Sequence, residues 1–318
     1  SIDDNEQANL KKICDEVFGL SNFLANVVWK HTEQSKNDEK YFSRQYNHLL
    51  VYRRSDKLLP FRLPRMESDN KNYSNPDNDP NGDWRSGDVR SPNYRKTLCF
   101  DIVTPSGKKI SSPDNGWRWS EDSIKEKIDS GEIIFNQDES KIIRKIYLKN
   151  QEGRVPENLW QGELSGTTRQ ANNQIKELFN GQTIFDTPKP YQLIKRTMEL
   201  FYGVNKDFTV LDFFAGSSTT AHAVMQLNAE DGGKRQFIMV QIPEETDSKS
   251  EAFKAGYPTI AEISKERIRR AGAKIKTDNA DKDGINELDT GFRVLKIDTS
   301  NMNDIYYRPQ DYNQDLLA

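Results

Sequence analysis

Residues 209–220, TVLDFFAGSSTT, bring together the side chains with the clearest chemical potential in the chain. TVLDFF is nearly continuous in apolar residues, the pattern of a central strand buried on both faces. Ala215, Gly216 and Ser217 then carry so little side chain that a ligand can approach the backbone closely. A helix is predicted from about Ser218, with Ala221, Val224, Met225 and Ala229 on one face. Its first turn offers unpaired N–H groups, and Ser217, Thr219 and Thr220 add hydroxyls, a combination that favours an anionic or strongly polar group. Asp212, at the end of the strand, can accept hydrogen bonds from a cationic or hydroxylated part of the same ligand.

Three nucleotide ligands compete for such a turn. A phosphate-binding P-loop requires GxxxxGK[ST], and this stretch has no Lys. A dinucleotide fingerprint requires GxGxxG, and Gly216 stands alone. S-adenosylmethionine, with its ammonium, carboxylate and ribose diol, suits the mixed lining. A small-residue turn that serves only helix–strand packing is the remaining alternative at this point.

Elsewhere the chemistry is sparser. His31, His48 and His222 are scattered without a carboxylate or cysteine at ligand spacing, so no metal site is expected. Cys14 and Cys99 are isolated, as in a cytosolic protein. No apolar run reaches the roughly 18 residues of a membrane span and no secretory signal opens the chain, so a cytoplasmic location without membrane contact is expected. The net charge of −3 over 318 residues does not mark the whole molecule as a nucleic-acid binder. Between Trp84 and Trp119, however, seven cations (Arg85, Arg90, Arg95, Lys96, Lys108, Lys109 and Arg118) face only three Asp. Trp84, Tyr94, Phe100, Trp117 and Trp119 are interleaved with them, and alternation implies that Trp117 or Trp119 is core. Such a stretch can hold phosphates and stack on bases, or be a solvated β region.

The elements that must position these residues divide the chain in three. Leu10, Ile13, Cys14, Val17 and Phe18 predict a first helix, with Asp3 and Glu6 as a capping box and Gly19 as the stop. Strands at 23–29 and 47–53 follow, separated by a polar loop long enough for a lid or contact. SNPDNDPNGD (74–83) reads as a linker or exposed loop. A small β-rich unit spans about 84–160, with one short helix near Ser120–Asp129. An α/β pattern then resumes, with helices at 168–179 and 190–202 and a strand at 208–213. The helix after the turn, a strand at 235–242, a long helix near 259–275 and a last strand at 291–297 complete it. SKERIRRAGAKIK (264–276) reads as a solvated helix face. Alternating strands and helices imply a parallel sheet covered on both faces.

VLDFFAGSSTTAHAVM resembles the cofactor motif DPFxGSGTT of β-order DNA amino-methyltransferases, and DTPKPYQLIKRTMELF (186–201) resembles the cofactor motif that precedes it. KRQFIMVQIPEE is similar to the family's second strand. GYPTIAEISKERIRRAGAKI, DTGFRVLKID and the opening SIDDNEQANLKKICDEVFG resemble the methylation (Mod) subunits of type III restriction–modification systems. The resemblance runs through nearly the whole chain and is loosest at 60–160. It implies an α/β, Rossmann-like, circularly permuted fold. Residues 1–59 would be part of the catalytic half, 60–160 a β-rich target-recognition insert, 161–300 the cofactor half, and 301–318 the start of a C-terminal tail. It further implies S-adenosylmethionine contacts from Phe214, Ala215, Gly216, Ser217, Thr219 and Thr220, with Asp186, Thr187, Lys189 and Pro190 closing the methionine end. The implied activity is methyl transfer to adenine N6 in double-stranded DNA, as a homodimer with a restriction (Res) subunit. A cytosine-N4 methyltransferase and a non-catalytic recognition or assembly module are the alternatives.

The chain departs from the pattern in four respects. Phe213 replaces the usual Pro; Ser218 replaces the second Gly, and its φ is expected to be negative. Gln241 stands where a Glu often holds the ribose hydroxyls, with Glu244 three residues on. The catalytic (D/N/S)PP(Y/F/W) motif is absent, since the sequence contains no Pro-Pro. That motif would orient the amine of a flipped base for in-line attack. The chain alone is therefore expected to bind cofactor without transferring methyl groups, and its missing strand either to be supplied by polypeptide upstream of Ser1 or to leave residues 1–59 repositioned.

Overall fold

The computed structural model describes residues 1–35, 39–201 and 206–297. Helix α1 (Gln7–Phe18) leads into strand β1 (Phe23–Lys30), which pairs antiparallel with β2 (Tyr46–Tyr52). Val27 and Trp29 alternate inward along β1 and pack with Leu63, Trp160, Leu193 and Leu200. The expected capping box is not formed. Asp3 accepts instead from the backbone and side-chain nitrogens of Asn5, and Glu6 occupies the N-cap with its carboxylate on Asn9 Nδ2 and on no backbone N–H of the first turn. A local Asx-type turn has captured the carboxylate before the helix begins. The polar loop between β1 and β2 falls partly outside the described residues.

After α2 (Glu67–Asn70) comes β3 (Trp84–Gly87), and the stretch between them is anchored rather than a free linker. The buried Lys145 ammonium lies 2.5 Å from both Asp77 and Asp79. Trp84 Nε1 donates to Asp77 and Tyr147 Oη to Asp79, each at 2.8 Å. A buried cation must be paired, so these two carboxylates are drawn onto the sheet. Their hydrogen bonds to Lys145 hold both carboxyls below the usual carboxylate range.

Strands β4 (Ile102–Val103) and β5 (Lys109–Ile110) form a hairpin, followed by α3 (Glu121–Asp129), β6 (Ile133–Phe135) and β7 (Ile142–Tyr147). β3, β7 and β6 make an antiparallel sheet in that order. This region has its own apolar cluster of Ile102, Ile110, Trp117, Ile124, Ile133 and Ile142. Trp117 is thus core, while the Trp119 ring sits 5.1–5.7 Å from Arg118, Lys127 and Arg144.

β8 (Leu159–Trp160) returns to pair in parallel with β1, giving the order β2-β1-β8. Helices α4 (Gly162–Ser165), α5 (Thr168–Leu178) and α6 (Tyr191–Glu199) follow; the predicted helix end at Tyr202 lies outside the described residues. Strand β9 (Thr209–Asp212), α7 (Thr219–Asp231) and β10 (Gln236–Met239) form a parallel βαβ unit, and α8 (Glu251–Lys254) and α9 (Ile260–Asp278) complete a mixed α/β protein. Helix α7 is its hub. Ala221 and Met225 pack with Ile175, Ile263, Ile268 and Ala271, while Val224 and Leu227 pack with Met198 of α6.

Two strand expectations are corrected. β9 is not buried on both faces: Val210 packs inward, but Leu211 is 58% exposed, and Phe213, Phe214 and Ile238 of β10 are exposed as well. α6 and α7 cover one face of the β9–β10 pair, and among the described residues no strand pairs with the other edge of β9. Residues 291–297 form no strand, and Leu295 and Ile297 are exposed. A single extended segment without a neighbouring edge leaves its backbone groups unpaired and gains nothing as a strand. Residues 301–318, the expected start of a tail, lie outside the described residues.

Candidate functional site

The chain leaves β9 at Asp212 and enters α7 through a turn stitched to the end of β10. Val240 N donates to Asp212 O at 2.8 Å and Ala215 N to Val240 O at 3.1 Å. Gly216 and Ser218 both adopt left-handed backbone, with φ of 53° and 59°. The negative φ expected at Ser218 is therefore not observed. Ser218 N closes a tight turn onto Ala215 O at 2.7 Å, and α7 can start in its observed direction only if the intervening backbone reverses handedness. Ser218 is buried, its Oγ has no hydrogen-bond partner, and it gives α7 no side-chain cap. The positive end of a 13-residue helix is thus left without a capping side chain.

A polar network fixes this turn. Asp212 accepts from Phe214 N at 3.1 Å and from Thr220 Oγ1 at 2.6 Å. Gly216 N donates to Gln241 Oε1 at 2.7 Å, and Gln241 Nε2 donates to Ile242 O. Thr219 Oγ1 donates to Lys189 O at 3.2 Å, tying the Lys189–Pro190 segment to the helix start. Pro190 is the N-cap residue of α6. The Lys189 ammonium stands 5.9 Å from the Trp29 ring, and burial lowers its pKa.

The network thus brings together Asp212, Phe214, Gly216, Ser217, Thr219, Thr220, Gln241 and Lys189, with Ala215 buried among them. The side chains of Phe214, Asp186, Thr187 and Glu244 are exposed; Glu244 accepts through its backbone from Ile260 N at 2.9 Å.

Two residues missing from the sequence reading complete the turn from below, both on α9. Ser264 Oγ donates to Gly216 O. Arg267, 0% exposed, donates through Nη1 to Ser217 Oγ at 2.7 Å and to Thr219 Oγ1 at 2.6 Å. α9 is therefore not simply a solvated face. Ile263, Ser264, Arg267, Ile268, Ala271 and Ile275 share a buried stripe at helical spacing, and an arginine inside that stripe was the available signal. His222, one turn into α7, stacks 4.7 Å from Tyr191, and burial, then Arg267 and Lys274, push its pKa well below the usual value.

On the β-rich region, Arg85, Arg90, Arg95, Lys96, Lys108, Lys109 and Arg118 are all exposed. Arg90 is held by Asp88 through two hydrogen bonds, which lower that carboxyl to about 2, and Lys108 donates to Asp138 O. Arg90 and Arg118 line an open cavity of about 770 Å³ with Asp88, Ser91, Asp114 and Asn115. Among the described residues no helix is long and apolar enough to cross a membrane, and no group of three His, Cys, Asp or Glu is arranged to hold a metal ion.

The chain is similar to the Mod subunit of the type III restriction-modification enzyme StyLTI of Salmonella typhimurium, 37% identical over 94% of this chain and 45% of that protein. It is 30% identical to the EcoP15I Mod subunit of Escherichia coli over 93% of this chain and 49% of that protein. To the type II methyltransferase M.KpnI of Klebsiella pneumoniae it is 30% identical over 84% of this chain and 67% of that protein. The chain thus spans about half the length of these Mod subunits. A family model described as DNA methylase matches residues 1–252, and the chain belongs to that family.

Proposed function

We propose that this chain is the cofactor-binding and DNA-recognising part of a type III Mod subunit, which transfers a methyl group from S-adenosylmethionine to N6 of adenine. The observation that carries this reading is the similarity to the StyLTI Mod subunit through 94% of the chain. The domain reading goes with it: catalytic half in 1–59, target-recognition insert in 60–160, cofactor half in 161–300 and the start of a tail in 301–318, in a circularly permuted sheet. The separate apolar cluster between Ile102 and Ile142 supports the insert. The edge of β9 that no described residue pairs with, beside exposed Leu211, supports a further strand there, supplied by polypeptide outside residues 1–318 together with the Pro-Pro motif.

S-adenosylmethionine fits the turn because the positive end of α7 has no side-chain cap and the buried Ser218 hydroxyl has no partner among the described residues. Asp186, Thr187, Lys189 and Pro190 would close over its methionine end, and Asp212 to Thr220, Gln241 and Glu244 would line the site beside them. When bound, it supplies an electrophilic methyl group on a sulfonium centre. This chain's residues hold and orient; they contribute no base-binding Pro-Pro motif. The seven exposed cations between Arg85 and Arg118 would contact the phosphates of double-stranded DNA. By the same kinship the whole protein would be a cytoplasmic homodimer that assembles with a Res subunit.

The test is methyl transfer from radiolabelled S-adenosylmethionine to DNA, followed by nucleoside analysis. A polypeptide carrying this chain plus the Pro-Pro motif should label adenine N6, and residues 1–318 alone should label nothing. Label on cytosine N4 would establish the alternative specificity. Label produced by the 318-residue chain alone would show that the motif assignment is wrong.

A further inference from the structure

Arg267 is a buried cation that no described residue neutralises. Its side chain is fully enclosed, and of its five donors only the two on Nη1 are used, for Ser217 Oγ and Thr219 Oγ1. Nε and Nη2 have no partner among the described residues. No carboxylate among them pairs with it, and burial alone draws its pKa down to about 9. An unpaired buried guanidinium is costly, and this one lies beneath a helix end that already carries roughly half a positive charge. Two positive potentials converge on the Gly216–Thr219 turn, and the carboxylate that borders it, Asp212, is held on Phe214 N and Thr220 Oγ1 and makes no ion pair with Arg267.

The direction of the hydrogen bonds matters as much as the charge. A guanidinium can only donate, so Ser217 and Thr219 must both accept from it. The Thr219 proton is committed to Lys189 O at 3.2 Å. The Ser217 proton is then free to be donated away from Arg267, toward a ligand at the start of α7. Ser264, one helical turn before Arg267 on α9, keeps the floor of the turn in register by donating to Gly216 O.

We infer that Arg267 is a positioning residue for a ligand carboxylate: it sets the Ser217 hydroxyl as a donor and supplies the potential that draws the carboxylate end of the cofactor to the first turn of α7. The inference rests on the S-adenosylmethionine reading and assigns one end of that ligand to one buried side chain. It acts through Ser217, without Arg267 touching the ligand.

The experiment is calorimetric titration of the 318-residue chain with two ligands, S-adenosylhomocysteine and its decarboxylated analogue, which keeps the amine. Wild type should prefer the carboxylate-bearing ligand by about tenfold or more, the scale of one hydrogen bond to a charged group. Arg267→Met should reduce that preference about tenfold, Arg267→Lys should restore most of it, and Ser217→Ala should reduce it as Arg267→Met does. Should Arg267→Met not fold, Ser217→Ala leaves the arginine in place and carries the test. Equal weakening of both ligands, as a purely structural arginine would give, overturns the inference while leaving the cofactor reading intact; so does an unchanged preference. Absence of binding by either ligand to wild type overturns the cofactor reading, and the inference with it.

Discussion

Ser218→Gly should stabilise the protein, although the position is fully buried at the heart of the candidate site. Ser218 sits at φ 59° and ψ 42°, left-handed backbone that costs an L-residue with a Cβ about 1–2 kcal/mol. Its unpartnered buried hydroxyl adds about 1–3 kcal/mol of uncompensated desolvation. Against these stand the extra freedom of glycine in the unfolded chain, about 0.5–1 kcal/mol, and the packing of one small side chain that glycine forgoes, about 1 kcal/mol. The net expectation is a gain of about 1–2 kcal/mol, or roughly 1.5–3 °C in melting temperature for a chain of this length. Ser218→Ala separates the terms, since it removes the hydroxyl and keeps the Cβ; it should gain the hydroxyl's about 1–3 kcal/mol and fall within about 1 kcal/mol of Ser218→Gly, whose strain relief and glycine costs nearly cancel. Urea unfolding followed by circular dichroism reads both variants. The reasoning is refuted if either variant lowers the unfolding midpoint.

Other perturbations test neighbouring parts of the account. Burial keeps His222 neutral in the folded state, so below its usual pKa of 6.5 the unfolded chain binds a proton that the folded chain does not. Stability should then fall as pH drops from about 7 toward 5, by at most about 1.4 kcal/mol per pH unit from this residue. His222→Phe should have the shallower dependence, and identical slopes would count against the assignment. Replacing exposed Arg95, Lys96 and Lys109 together by Ala should weaken DNA binding for every sequence and lower the slope of log K against log salt by about three. An unchanged slope would place the phosphates elsewhere.

Much of the fold was legible because local signals and tertiary context agree. Hydrophobic periodicity located α1, α7 and α9, Ser120 caps α3 as its position implies, and the apolar runs marked β1, β2, β9 and β10. The misses have specific causes. The capping box at Asp3 lost to a nearer amide on Asn5, a competition that spacing alone does not rank. Residues 74–83 read as a linker because two aspartates look solvated until Lys145, 66 positions beyond Asp79, is buried between them. Residues 208–213 carry the composition of a doubly covered strand, but coverage belongs to the neighbours, and α6 and α7 shield one face only. At the site, the small residues and hydroxyls were visible in the motif. Arg267 was not, because a charge on the buried stripe of α9 was counted with the solvated charges around it.

The account turns on whether the Gly216 turn holds S-adenosylmethionine, and equilibrium binding of that compound to residues 1–318 asks this directly. Wild type should bind it, and Gly216→Asp, which adds a carboxylate where Gly216 N meets Gln241 and beside the start of α7, should weaken binding at least about tenfold with the circular dichroism spectrum unchanged. No binding by wild type, or equal affinity in the folded mutant, would contradict the assignment.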